Sequence, residues 1–267
     1  MGKRCPLGKT SKSFLRTTEF FWQEGHTAHA TKEEAQKTTE QMLELYRQIA
    51  QDYLAIPVQT GRKSEGEKFP GAEKTYTFEG FMPDAKALQM GTSHLLSQSF
   101  AKAFDMQFQN KEGKLEYPWL TSWGSTTRLV GALVMTHGDQ KGLVLPPAVA
   151  PIQVIIIPIY KTEEERAVVL KTAETLKKAL QITTRIKIDD DQQKTPGNKF
   201  FYWELRGVPI RIEIGPRDLK NNEVVIADRL GSKSYGCARQ CRLNVFQHNL
   251  TIYKKYCLIK HSKELKA

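Results

Sequence analysis

Phe14-Leu15-Arg16-Thr17-Thr18-Glu19-Phe20-Phe21-Trp22-Gln23-Glu24-Gly25-His26 sets an arginine four residues ahead of an aromatic in a stretch rich in strand formers. On a strand, that spacing places a guanidinium and a ring beside one nucleotide. The guanidinium suits bidentate phosphate binding, and the ring suits stacking on a base. Just downstream, Thr31-Lys32-Glu33-Glu34 is a capping box, with Thr31 as N-cap. Leu45, Tyr46, Ile49, Tyr53 and Leu54 follow at helical spacing, which predicts a helix to about residue 54.

Working outward, residues 63–74 have the Gly, Lys, Glu and Pro content of an exposed loop. Residues 75–81 and 85–90 alternate like antiparallel strands, 92–104 read as a short helix, and 117–123 lead into a helix from Thr126 to about His137. Near Ala150 the pattern changes. A buried strand over Val154–Pro158, a helix over Glu163–Leu180 capped by Thr162, and a short strand over Thr183–Ile188 come next. A polar loop over Asp189–Asn198 and strands over Val208–Ile214 and Glu223–Ala227 complete a β-α-β-type unit with a mixed sheet. The fold class expected is α/β (α+β): an antiparallel-sheet domain over 1–150, a mixed-sheet α/β domain over 151–235, and a helical extension over 236–267.

Composition narrows the function. A chain of 267 residues with 40% hydrophobic and 26% charged residues is globular, and no apolar run reaches the roughly 20 residues that cross a bilayer. Four cysteines form no disulfide framework, and the start lacks a secretory signal, so a cytoplasmic protein is expected. The net charge of +11 is concentrated at the ends. Residues 1–13 hold four Lys/Arg and no acid, and 229–267 hold nine and one acid, which leaves 14–228 at −1. Net charge alone therefore does not make the chain a nucleic-acid binder, and no DNA partner is expected. There is no Walker loop, no Gly-x-Gly-x-x-Gly and no His-Glu-x-x-His. Cys237 and Cys241 lack a second zinc-like pair, His26 and His29 are two ligands at most, and Asp189-Asp190-Asp191 reads as a solvated loop.

Three further stretches carry a resemblance: Gln89-Met-Gly-Thr-Ser-His94, Ser122-Trp-Gly-Ser-Thr-Thr-Arg-Leu-Val-Gly131, and Trp203-Glu-Leu-Arg-Gly-Val-Pro-Ile-Arg-Ile-Glu-Ile-Gly-Pro-Arg-Asp218. Together with Phe14–His26 they resemble prolyl-tRNA synthetase, a class II aminoacyl-tRNA synthetase, in its archaeal/eukaryote-like form. The first stretch is similar to the second half of motif 2, the next two to the substrate loop and motif 3, and the last to the anticodon-binding domain. The resemblance covers about residues 14–233.

It implies an ATP site made of Arg16, Thr17, Phe20, Gln89, Thr92, Thr126 and Arg128, with Gln89 also contacting Mg2+. Arg16 and Arg128 would be the catalytic pair, with Arg128 neutralising phosphate charge. Trp22, Glu24, Phe81 and His94 would bind L-proline, since an aromatic pocket with a few polar groups fits a compact ring. Glu204, Arg211 and Arg217 would read anticodon guanines of tRNA(Pro). Arginine donates twice to guanine, and unpaired bases expose the edges for such contacts. For Glu204 and Arg211, a mutual salt bridge is the competing reading.

The implied activity is that of a proline–tRNA ligase, homodimeric in the family. Its chemistry rests on positioning and charge neutralisation rather than on a protein nucleophile. Motif 1, the Thr-x-Glu loop and the Arg-x-Glu opening of motif 2 have no counterpart here, and Arg4 lacks the following Glu. The expectation is thus a chain truncated at both ends. The alternative function is an inactive fragment acting at most as a tRNA anticodon-binding module. A synthetase for threonine or glycine is disfavoured by the 203–218 stretch.

Overall fold

The computed structural model describes residues 14–17 and 19–237. The expected helical extension over 236–267 therefore falls, apart from its first two residues, outside the described residues, as do Arg4 and Cys241. The chain divides between Thr136 and His137 into two compact units. Among the described residues no helix is long and apolar enough to cross a membrane.

In the first unit, β1 (Trp22–His29) leads through α1 (Lys32–Gln48) and a π-helical turn (Ile49–Tyr53) to β2 (Gln59–Arg62), β3 (Lys74–Phe81) and β4 (Ala87–Ser97). A short helix α2 (Ser99–Ala103), a small hairpin of β5 (Phe108–Gln109) and β6 (Leu115–Glu116), β7 (Trp119–Thr126) and α3 (Arg128–His137) follow. The five long strands form an antiparallel sheet in the order β1-β7-β4-β3-β2. α1 starts where the capping box put it: the Thr31 hydroxyl accepts from the Glu34 amide at 3.2 Å. It packs on one face of the sheet, where Tyr46 stacks on Phe78 with ring centroids 5.3 Å apart and the Ser93 hydroxyl donates to the Thr39 carbonyl at 2.8 Å.

Two expectations in this unit are corrected. Residues 92–97 belong to β4 rather than to a helix, which shrinks to Ser99–Ala103. The central position between β3 and β7 decides this, because Thr92-Ser93-His94-Leu95 alternates half-buried and buried positions across a sheet paired on both edges. The strand also begins at Ala87, not at residue 85, because Ala85 occupies a turn with φ 60°.

β4 carries a bulge. Phe78 pairs with Gly91 and Glu79 with Gln89, so Met90 is the extra residue. A bulge reverses the in-out alternation, and it turns Gln89 to the same face as Thr92 and His94. Gly91 next to it must be bare: a Cβ there would lie 2.5 Å from the Phe78 ring and 2.7 Å from the Gly124 carbonyl oxygen.

The second unit holds β8 (Val154–Pro158), α4 (Glu163–Leu180), β9 (Ile186–Ile188), α5 (Pro196–Leu205), β10 (Ile210–Ile214), α6 (Pro216–Lys220), β11 (Glu223–Asp228) and β12 (Lys233–Cys237). Its sheet runs β12-β11-β10-β8-β9 and is mixed: β8 pairs parallel with β9 and β10, whereas β11 is antiparallel to both its neighbours. All five residues of β8 are buried, as expected of a parallel strand covered on both faces. Val154 and Ile156 pack with Val169, Ala173 and Leu176 of α4, while Ile155 and Ile157 pack with Trp203 of α5 and Val208.

Helix α5 is absent from the expectation, which ran a loop to Asn198 and named no helix after it. Thr195 caps it through the Asn198 amide at 3.3 Å, and Pro196 starts it. The acidic triplet is also more than a solvated loop. Asp189 accepts from Trp203 Nε1 at 2.6 Å, Asp190 pairs with Arg166 at 2.7 Å, and Asp191 with Lys194 at 2.9 Å.

Thr162 caps α4 by accepting from the Glu165 amide at 3.2 Å, with three glutamates in the first turn. Thr162→Ala is expected to cost about 1 kcal/mol, read as a lowered urea midpoint with unchanged slope.

Candidate active site

The face of the first sheet opposite α1 opens into a cleft of about 970 Å³. Trp22, Glu24, Gln89 and Thr92 line it, as do His94, Thr126, Arg128 and Phe20. Eight of the site residues expected from sequence thus converge on one cavity, from β1 and the segment just before it, β4, the end of β7 and the start of α3. Phe20 meets Trp22 edge to face, with centroids 6.3 Å apart.

At one part of the cleft, Arg128 is fixed from two directions. Its amide donates to the Thr126 hydroxyl at 3.1 Å, and its Nη1 donates to the Gln89 carbonyl at 3.1 Å. Thr126 therefore does cap the turn into α3 while also facing the cleft. The Gln89 side chain is engaged as well: its Oε1 accepts a hydrogen bond from Lys63 Nζ. Lys63 follows β2, and its own amide is tied to the Thr75 carbonyl at 2.8 Å.

At another part sits His94, between two hydroxyls. Its Nδ1 is 3.0 Å from Thr75 Oγ1 and its Nε2 is 2.9 Å from Thr92 Oγ1. Burial first, and the nearby Lys63 charge second, push its pKa down from 6.5 to about 4, so the ring is neutral at pH 7. The unfolded chain then takes up the proton first. Stability from this site is complete above about pH 6.5 and falls as the pH drops toward about 4. Urea midpoints measured at pH 7 and pH 5 are expected to differ more for the wild type than for His94→Gln; an equal loss in both would contradict the assignment.

The Phe69 ring faces His94 at 5.2 Å and Phe100 at 6.4 Å, and both phenylalanines line the cleft. Phe81 does not line it. It ends β3 opposite Ala87 and is 42% exposed, so Phe69 supplies the aromatic wall that the sequence reading sought in Phe81. A signal was available: Phe69-Pro70-Gly71 is an apolar interruption in a Lys/Glu-rich loop. Gly71 has φ +91°, and a Cβ there would come 2.8 Å from the Phe100 ring, so the loop can fold against Phe100 only with glycine. Trp123, also in the lining, was not singled out either.

Arg16 and Thr17 stand apart from the cleft lining: both are exposed, and the Thr17 hydroxyl donates to the Glu19 carbonyl at 2.6 Å. His26 lies 3.3 Å from Glu24 and His29 2.7 Å from the Thr27 hydroxyl. Among the described residues no group of three or more His, Cys, Asp or Glu is placed to hold a metal.

In the second unit, Glu204 and Arg211 line a small cleft beside Trp203 but do not pair with each other. Glu204 lies 3.2 Å from Lys141, and Arg211 lies 2.9 Å from Glu213 with its guanidinium 4.2 Å above the Phe200 ring. The competing reading, a mutual salt bridge, is thereby corrected. Arg217 stands exposed on α6.

Comparison with known proteins adds three findings. Residues 7–137 match the tRNA synthetase class II core domain (G, H, P, S and T), and residues 153–245 match an anticodon binding domain. The chain is 54% identical over 220 residues to the chloroplastic/mitochondrial proline–tRNA ligase of Arabidopsis thaliana, covering 82% of this chain and 40% of that one. To the proline–tRNA ligase of Acetoanaerobium sticklandii it is 56% identical over 230 residues, 85% of this chain and 47% of the relative. The crystal structure of prolyl-tRNA synthetase from Cryptosporidium parvum, complexed with L-proline and AMP, superposes with a TM-score of 0.88 at 44% identity, covering 96% of this chain and 55% of that one. The chain spans about half the length of the curated relatives it matches.

Proposed function

Because the chain belongs to the prolyl-tRNA synthetase family of class II aminoacyl-tRNA synthetases, we propose that it acts in ATP-dependent activation of L-proline and its transfer to tRNA(Pro). The observation that carries this reading is the single cleft in which Gln89, Thr92, Thr126 and Arg128 meet the pocket of Trp22, Glu24, Phe69 and His94.

The chemistry follows from that arrangement. Arg128, held by Thr126 and Gln89, binds ATP phosphates with both arms of its guanidinium, and Phe20 stacks on the adenine. Trp22, Phe69 and a neutral His94 enclose the proline ring and exclude water without bringing a second positive charge. Proline's carboxylate oxygen then attacks the α-phosphorus in line; the bond to the β-phosphate oxygen breaks, giving prolyl-adenylate and pyrophosphate. In the second step a terminal ribose hydroxyl of tRNA attacks the prolyl carbonyl and AMP leaves. No protein nucleophile is needed; the residues position the reactants and offset charge. Glu204, Arg211 and Arg217 of the second unit contact the anticodon.

Magnesium, when it accompanies ATP, supplies charge screening on the phosphates. The chain's own residues fit it poorly. The one oxygen assigned to it, Gln89 Oε1, already accepts from Lys63, and magnesium sites are ordinarily built on one or two carboxylates.

Proline-dependent ATP–pyrophosphate exchange by the purified chain tests the reading. Exchange above the proline-free background supports activation. The second reading, tRNA binding without activation, is favoured by Arg16 standing outside the cleft lining. It predicts retained binding of tRNA(Pro) with no exchange in folded protein.

A further inference from the structure

Lys63 is a half-buried cation with no carboxylate within salt-bridge distance among the described residues. Burying an ammonium unpaired is costly, so its partners matter. The polar partner of its Nζ is Gln89 Oε1. Gln89 is gripped at both ends, by Lys63 on the side chain and by Arg128 on the backbone carbonyl at 3.1 Å. With the oxygen turned to an ammonium, the amide NH2 is the end left to donate. The bulge at Met90 sets Gln89 facing the cleft, and the amide of Lys63 is anchored on β3 through Thr75 at 2.8 Å. Both halves of the contact are therefore built on the sheet.

Resting on the nucleotide-site reading above, we propose that Lys63 is a positioning residue of that site. Its ammonium is the resident cation on Gln89, presenting the amide NH2 to a phosphate oxygen, and a divalent ion reaches Gln89 Oε1 only by displacing it. ATP binding should then depend weakly on metal in the wild type. It should depend strongly on metal once the ammonium is gone.

The test is a double-mutant cycle with Lys63→Met and Gln89→Met, using ATP as ligand and Mn2+ as metal, with tryptophan fluorescence for ATP and electron paramagnetic resonance for free Mn2+. In EDTA, Lys63→Met is expected to weaken ATP binding about tenfold, the scale of a hydrogen bond to a charged group. Mn2+ should restore most of that loss, and the Lys63→Met change should have little further effect in the Gln89→Met background. Lys63→Arg, which keeps a cation, should resemble the wild type, and thermal melts confirm that each variant is folded. Equal losses for Lys63→Met with and without Gln89 would overturn the proposal, because the ammonium would then act as a general charge. Equal metal dependence in wild type and Lys63→Met would overturn it too. A wild type that binds no ATP in either condition would instead overturn the nucleotide-site reading, and this proposal with it.

Discussion

Arg229→Ala is expected to destabilise the second unit by about 3–5 kcal/mol, the scale of removing one partner from a buried ionic network. The Arg229 side chain is 1% exposed and every arm of it is used. Its Nε donates to the Leu143 carbonyl at 3.0 Å and the Glu204 carbonyl at 2.9 Å, while Nη1 and Nη2 grip Asp139 at 3.0 and 2.6 Å. One side chain at the end of β11 thus fastens the 139–143 segment and the end of α5. Alanine would remove the side-chain donor from the Leu143 carbonyl, and would leave the Glu204 carbonyl with the Gly207 amide and the Asp139 carboxylate with the Lys141 amide. The Asp139 carboxyl, held below the usual carboxylate range chiefly by this hydrogen bond, would lose that hold. Arg229→Lys keeps the charge but not the planar fork, and should fall between the two. Asp139→Asn should cost less than Arg229→Ala, because that carboxylate is 37% exposed and water can replace part of the contact. Urea unfolding followed by Trp203 fluorescence reads all three. A loss below 1 kcal/mol for Arg229→Ala would mean that the loop and helix end hold without their clasp.

Nothing in the sequence marked Arg229. Its partners lie 90, 86 and 25 residues away, and no local pattern encodes such a meeting. What the sequence did disclose is local: the N-caps at Thr31 and Thr162, the apolar run of β8, and the extent of α4. Motif stretches went further, bringing Trp22, Gln89, His94 and Arg128 into consideration although they come from different elements. The failures have physical causes. Thr92–Ser97 lacks a strongly β-branched run, and pairing on both edges overrode its weak local preference. The bulge at Met90 puts Gln89 and Thr92, three apart, on one face, which neither a regular strand nor a simple alternation predicts. Phe69 was hidden in a loop judged by its charged neighbours, whereas its place is decided by Gly71 and the rings of Phe100 and His94.

Arg128→Ala is expected to lower proline-dependent ATP–pyrophosphate exchange by about 10²–10³-fold, the usual cost of removing one preorganised donor from charge that develops in a transition state. The preorganisation is visible. α3 begins at Arg128, its amide is fixed by Thr126, and its Nη1 is fixed on the Gln89 carbonyl, so the side chain is held in place in the lining of the cleft. An interaction made mainly with the transition state should lower kcat along with kcat/KM, and leave the KM for proline nearly unchanged. The proline pocket is formed by other residues, chiefly Trp22, Phe69 and His94. Arg128→Lys should recover only part of the activity, because a point charge cannot bind two phosphate oxygens in a fork. Gln89→Ala provides the control for indirect effects: it keeps the backbone carbonyl that Arg128 uses, and should therefore be milder than Arg128→Ala. If Arg128→Ala exchanged within threefold of the wild type, phosphate charge would have to be met elsewhere in the cleft. Lys63, the other cation in contact with Gln89, would be the residue to examine for that role.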